Sequence, residues 1–153
     1  MGNTKMNQTL HFAMIGCGRI SAEHIRQIIR TGKLVAVVDI DPLKAKQTGF
    51  QNQVPFFTST ADLYSSAIKM DIVVIATPNG LHAEQAIEAI ENGCHVLVEK
   101  PVALNTSDII RMQAAADKAG KNIYTVMQNR FNLSVKLIHA LLREHALGTI
   151  QQV

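Results

Sequence analysis

The chain has 153 residues, 47% of them hydrophobic and 18% charged, with a formal net charge of +3. That length suits one domain with a real core; no apolar stretch approaches the roughly 20 residues of a membrane span, and no signal-peptide pattern precedes the first apolar run, so a cytoplasmic protein that does not enter a membrane is expected. The lysines and arginines, among them Lys33, Lys44, Lys69, Arg111 and Arg143, are interleaved with acids and form no basic stripe with aromatics, which argues against nucleic-acid binding.

Met1 to Thr9 is polar and is expected to be a disordered tail. Leu10 to Ile15 reads as a short strand, followed at once by Gly16-Cys17-Gly18-Arg19-Ile20-Ser21 and then by a helical pattern with Ile25, Ile28 and Ile29. Strand, G-x-G turn and helix in that order is the setting of a dinucleotide fingerprint. Gly16 would permit the tight turn and Gly18 the close approach of a pyrophosphate, held against the positive end of the helix. Ser21 stands where a third glycine is usual, and the small Ala22 follows. A G-x-G at a loop is also simply a turn, so the acid that should follow matters. Leu34 to Val38 is a continuous apolar run, as in a buried parallel strand, and it ends at Asp39. A carboxylate there accepts both adenosine ribose hydroxyls and repels a 2′-phosphate, which favours NAD over NADP. Asp41 before Pro42 reads as the N-cap of the next helix.

Val54 to Phe57 suggests a short strand, and Asp71 to Ala76 a clearly buried one. Thr77-Pro78-Asn79-Gly80 then leads into a helix with Ala83, Ala86, Ile87 and Ile90 on one face, stopped at Asn92-Gly93. Val96 to Glu99 is the next strand, closed by Lys100-Pro101. Asn105 to Asp108 caps a helix carrying Ile109, Met112 and Ala116, which Gly120 ends. Asn122 to Met127 supplies another strand, and Val135 to Leu142 a last amphipathic helix with Leu137 and Ile138 apolar. Strands alternating with helices across short links predict an α/β fold, a doubly wound parallel sheet of the Rossmann type. Lys100, ending a central strand beside a bound dinucleotide, is well placed to take the proton of a substrate hydroxyl while hydride leaves the carbon. The six histidines show no metal-ligand companion spacing, so no metal site is expected. Cys17 and Cys94 read as reduced packing residues.

These segments together resemble the N-terminal domain of the glucose–fructose oxidoreductase/inositol dehydrogenase/rhizopine-catabolism (Gfo/Idh/MocA) oxidoreductases. The resemblance runs from Phe12 to about Ile150 and is carried by Ile15-Gly16-Cys17-Gly18-Arg19-Ile20, Val38-Asp39-Ile40-Asp41-Pro42, Ala76-Thr77-Pro78-Asn79-Gly80-Leu81-His82, Gly93 to Pro101 with its Glu99-Lys100-Pro101, and Gln128-Asn129-Arg130-Phe131-Asn132. It implies that Gly16, Gly18, Arg19 and Ile20 contact the pyrophosphate and that Asp39 holds the adenosine ribose. It implies that Thr77, Pro78, Asn79 and His82 line the cofactor channel, with a surface helix-cap contact as the plainer reading of His82. Glu99 and Lys100 would reach the nicotinamide ribose and the substrate, with Lys100 the catalytic lysine, and Gln128 would lie near the nicotinamide end.

The Gln128 to Asn132 stretch is similar to the element of members that oxidise the sugar 3-hydroxyl of UDP-N-acetylglucosaminuronic acid in surface polysaccharide synthesis, although Phe131 lacks the phenol and Leu133 replaces a proline. Family members continue into a second domain, built on an open antiparallel sheet, that supplies substrate contacts and a histidine partnering the lysine. The expected organisation is thus a tail over 1–9, a dinucleotide-binding domain over 10–148 and, over 149–153, the start of a domain absent from this chain, which by itself should scarcely turn over substrate. A small-molecule sugar or nucleotide-sugar partner and a homo-oligomer are expected. Two other readings compete: a non-catalytic nucleotide-binding module and, less well, a methyltransferase on the same topology, in which Glu99-Lys100-Pro101 would have no role.

Overall fold

β-Branched runs too short for helices pair side by side, and the amphipathic stretches between them cover the sheet so formed. A computed structural model describes residues 9–149. It contains β1 (His11–Ile15), α1 (Ser21–Thr31), β2 (Lys33–Val38), α2 (Pro42–Asn52), β3 (Phe56–Phe57), α3 (Thr60–Ser65), β4 (Ile72–Ile75), α4 (His82–Glu91), β5 (His95–Val98), α5 (Thr106–Ala119), β6 (Ile123–Thr125) and α6 (Leu133–Arg143), with 3-10 turns at Asn79–Leu81 and Gln128–Phe131. The six strands form one sheet in the order β3-β2-β1-β4-β5-β6, and every pairing is parallel. This is the doubly wound arrangement expected from the sequence, with the strand order reversing between β1 and β4, where such sheets open a ligand crevice.

Side chains alternate across each strand. Ala13, Ile15, Val73, Ile75, Val96 and Val98 face a core completed by Leu63, Ala86, Ile90, Met112 and Ala116. Phe12, Met14, Val37 and Val74 face the other side, against Ile25 and Ile28 of α1. Ile15 is level with Val38 and with Ile75, and Ile75 with Val98. The loops that leave β2, β1, β4 and β5 therefore emerge together at one edge.

Several expectations are corrected in detail. Ile29 and Ile109 are exposed, while Ile25, Ile28, Met112 and Ala116 are buried; Ile29 lies about 100° round from Ile28, beyond a stripe centred on Ser21, Ile25 and Ile28. The strand expected over Val54 to Phe57 is only Phe56–Phe57, and that over Asn122 to Met127 only Ile123–Thr125; both lie at sheet edges, where a single neighbour supports less ladder. Helix α3 was not anticipated. Its signal is Ser59, whose hydroxyl accepts the Asp62 N–H at 3.1 Å and so caps a single turn that buries Leu63. Helix α6 forms as expected but buries no residue, because it follows the edge strand and packs mainly on the turn Gln128–Phe131. Of the expected tail, residues 1–8 lie outside the described residues, as do residues 150–153 of the expected second-domain start.

Candidate dinucleotide site

The G-x-G turn is built by close contact on one side and openness on the other. Gly16 adopts φ +94°, and a Cβ there would stand 2.6 Å from the Ala76 carbonyl oxygen, so only glycine lets the end of β1 lie against the end of β4. Its N–H donates to the Val38 carbonyl at 2.8 Å. Around Gly18 a Cβ would meet nothing within 4 Å, so the turn faces open space. Among the described residues the N–H groups of Gly18, Arg19 and Ile20 donate to no protein acceptor. Three donors at the start of α1 are thus left without a protein acceptor, the kind of donor set that could hold a pyrophosphate. Ser21, at the place of the third glycine, is buried, and its hydroxyl donates to the Gly18 carbonyl at 2.6 Å across the turn.

Asp39 follows β2 directly. Its Oδ2 accepts the Cys17 N–H at 2.7 Å and its Oδ1 the Asp41 N–H at 2.9 Å. Each oxygen keeps a second lone pair, so the carboxylate remains able to accept ribose hydroxyls. Asp41 caps α2 as expected, accepting the Leu43 N–H at 2.9 Å; these backbone bonds, led by that from Leu43, hold its carboxyl below the usual range. The Cys17 thiol points inward to the Val38 carbonyl. Burial pushes it up, which suits packing and not nucleophilic work.

The loop after β4 carries Thr77, Pro78 and Asn79, with Pro78 and Asn79 exposed at the crevice edge. The Thr77 hydroxyl is tied to the Gln85 side chain. His82 is placed in neither of the positions considered from sequence. It is 0% exposed, so its side chain lines no open channel and caps no surface helix end. Its Nε2 lies 2.9 Å from the Thr77 carbonyl oxygen and its Nδ1 2.8 Å from that of Pro101. The ring thus clamps the loop after β4 to the loop after β5 from beneath, through backbone atoms invisible to a residue pattern.

Glu99 and Lys100 follow β5 at the same edge. The Glu99 N–H donates to the Ile75 carbonyl at 2.9 Å, and Glu99 Oε2 accepts the Lys100 N–H at 3.1 Å. Lys100 itself is exposed, and its bond to Pro101 is cis. Gln128 is exposed in the 3-10 turn beyond β6, at the same edge as Lys100. His24, which carried no functional reading in the sequence, lies with Nε2 2.8 Å from Glu99 Oε1. Its one signal was its place eight residues past Gly16 on the helix of the fingerprint.

A glycine turn with free N–H donors, a carboxylate after β2 and a lysine after β5 at one edge of a doubly wound parallel sheet are the features of a dinucleotide-binding Rossmann domain. The chain belongs to the Gfo/Idh/MocA oxidoreductase family: the model of that oxidoreductase family's NAD-binding Rossmann fold matches residues 10–127. The cofactor class expected from Asp39 agrees with that description, and the methyltransferase reading ends here. The chain is 30% identical over 151 residues to the inositol 2-dehydrogenase of Arthrobacter sp. (strain FB24), an alignment covering 95% of this chain and 44% of the relative. The WlbA dehydrogenase of Bordetella pertussis, solved in complex with NADH and UDP-GlcNAcA, is 35% identical with a TM-score of 0.86 over 92% of this chain and 44% of that one. The scyllo-inositol dehydrogenase of Lactobacillus casei, solved with bound NAD(H) and scyllo-inositol, is 25% identical with a TM-score of 0.84 over 94% and 43%. The chain thus spans less than half the length of these relatives.

Proposed function

We propose that this chain is the cofactor-binding part of an NAD-dependent dehydrogenase acting on a hydroxyl of a sugar or nucleotide sugar. The observation that carries the reading is the placement of Asp39 and Lys100 at the same edge of the sheet, after β2 and β5 of a wholly parallel array. In this reading the N–H groups of Gly18, Arg19 and Ile20 hold the pyrophosphate, which reaches them because Gly16 keeps the turn low. Asp39 accepts the adenosine ribose hydroxyls, and Thr77, Pro78 and Asn79 form the wall opposite. Glu99, Lys100 and Gln128 attend the nicotinamide end, and His82 supports the two loops without touching the cofactor.

Bound NAD would supply the hydride acceptor. Lys100 would act as the general base that takes the substrate hydroxyl proton and passes it on to solvent, the proton balance of an alcohol oxidised to a ketone by loss of hydride. General-base assistance of this kind contributes on the order of 10²- to 10⁴-fold.

The narrower substrate we propose is the 3-hydroxyl of a UDP-sugar uronate, as in surface polysaccharide synthesis. Its support is Gln128 to Asn132 together with the likeness to a dehydrogenase solved with UDP-GlcNAcA. Titration with NADH, NADPH and S-adenosylmethionine, followed by fluorescence or melting temperature, tests the cofactor reading. NADH should bind more tightly than NADPH, and the methyl donor should give no response; tight methyl-donor binding without a dinucleotide response would end the proposal.

A further inference from the structure

We infer that His24 is a positioning residue for the nicotinamide end of the site, acting through Glu99. This rests on the dinucleotide reading above and goes beyond it by joining the two ends of the cofactor mechanically. His24 lies in the first turn of α1, four residues past Ile20. Its Nε2 is 2.8 Å from Glu99 Oε1, and the two side chains are only 12% and 11% exposed. A carboxylate oxygen only accepts, so Nε2 is the donor. The second oxygen, Oε2, accepts the Lys100 backbone N–H at 3.1 Å. One buried carboxylate is therefore held on one side by the helix that opens the phosphate turn and on the other by the backbone of the lysine.

The Glu99 main chain is already held in sheet register by Ile75, but among the described residues its side chain has one anchor distant in sequence, and that anchor is His24. A carboxylate this buried is costly without a partner. Without the imidazole it would turn toward water and release the Lys100 N–H. The phosphate turn would keep its own hydrogen bonds, from Ser21 to Gly18 and from Cys17 to Asp39, since none of them passes through His24. The loss should therefore fall on the nicotinamide half of the ligand.

The test compares NADH with ADP, which has the adenosine and the diphosphate but neither nicotinamide nor its ribose. His24→Leu should weaken NADH about tenfold, the scale of one hydrogen bond to a charged group, and leave ADP affinity within about twofold of the parent chain. His24→Gln should restore NADH affinity, because its amide nitrogen can reach the place of Nε2. Equal losses for NADH and ADP, no loss for either, or no rescue by glutamine would each overturn the inference. A parent chain that binds neither ligand would instead refute the dinucleotide reading and the inference with it. Should His24→Leu fail to fold, as judged by circular dichroism, His24→Asn takes its place, being polar but too short to reach Glu99.

Discussion

The Asp39 carboxylate and the Cys17 backbone N–H are joined across 2.7 Å, binding the end of β2 to the glycine turn that follows β1. The same carboxylate accepts the Asp41 N–H at the entry to α2, so the acid proposed to hold the ribose is oriented from two sides before any ligand arrives. Pre-orientation of this kind spares the ligand the entropy of ordering the side chain. It also ties the pyrophosphate turn to the ribose position, so that a change at one should be felt at the other.

Asp39→Asn should therefore weaken NADH by about ten- to a hundredfold, the scale of hydrogen bonds to a charged group. It should also narrow the preference over NADPH, because the charge that repels a 2′-phosphate is gone. Fluorescence titration with both nucleotides reads both effects.

The two glycines of the turn should separate stability from binding. Gly16→Ala forces a Cβ to 2.6 Å from Ala76 at a positive φ and should cost about 3 kcal/mol of stability. Gly18→Ala meets open space and should leave the urea midpoint nearly unchanged while reducing NADH binding, since the methyl group occupies the approach of the pyrophosphate.

His82→Leu should destabilise the chain by about 2–4 kcal/mol, because the carbonyl served by the ring N–H loses a buried donor and the packing between the two loops is disturbed. Urea denaturation measures this. NADH affinity, extrapolated to the folded fraction, should fall less than for Asp39→Asn, since the ring reaches no open surface.

Alkali should unfold the chain through three buried groups. Burial pushes up the Tyr64 phenol, with Glu88 nearby adding to it, and likewise the Cys17 and Cys94 thiols. The folded chain holds these protons more tightly than the unfolded one, so stability is complete below about pH 8.5 and falls as pH rises through the thiol and then the phenol range. Among the described residues the Tyr64 hydroxyl is buried without a hydrogen-bond partner. Tyr64→Phe should therefore stabilise by about 1 kcal/mol at pH 7 and flatten the decline above about pH 10. Urea midpoints across pH 7 to 10.5 check both.

Lys100→Met, in a form of the enzyme that turns over sugar substrate, should lower kcat by about 10²- to 10⁴-fold. The melting temperature should hardly change, since the side chain is exposed. Retained turnover would remove the lysine from its role.

What was legible in the residues follows a physical pattern. Runs such as Leu34 to Val38 and Asp71 to Ala76 declare buried parallel strands because both of their faces are covered, and Asp41-Pro42 declares a helix start because capping is a local bond. Ile29, Ile109 and the apolar residues of α6 were less legible, because periodicity says which side chains share a face and not how wide a neighbour covers it. Leu137 and Ile138 have the pattern of a core helix and stand in solvent among the described residues.

The amino-acid sequence alone determined the order of the strands and of every helix except α3, the glycine turn, the acid about 20 residues beyond it and the lysine after the fifth strand, because each is written in neighbouring residues. Tertiary structure decided the rest. Residues 24 and 99, or 82 and 101, become partners only when parallel crossovers carry distant loops to one edge. A hydrogen bond between such loops depends on positions in space that no local pattern encodes.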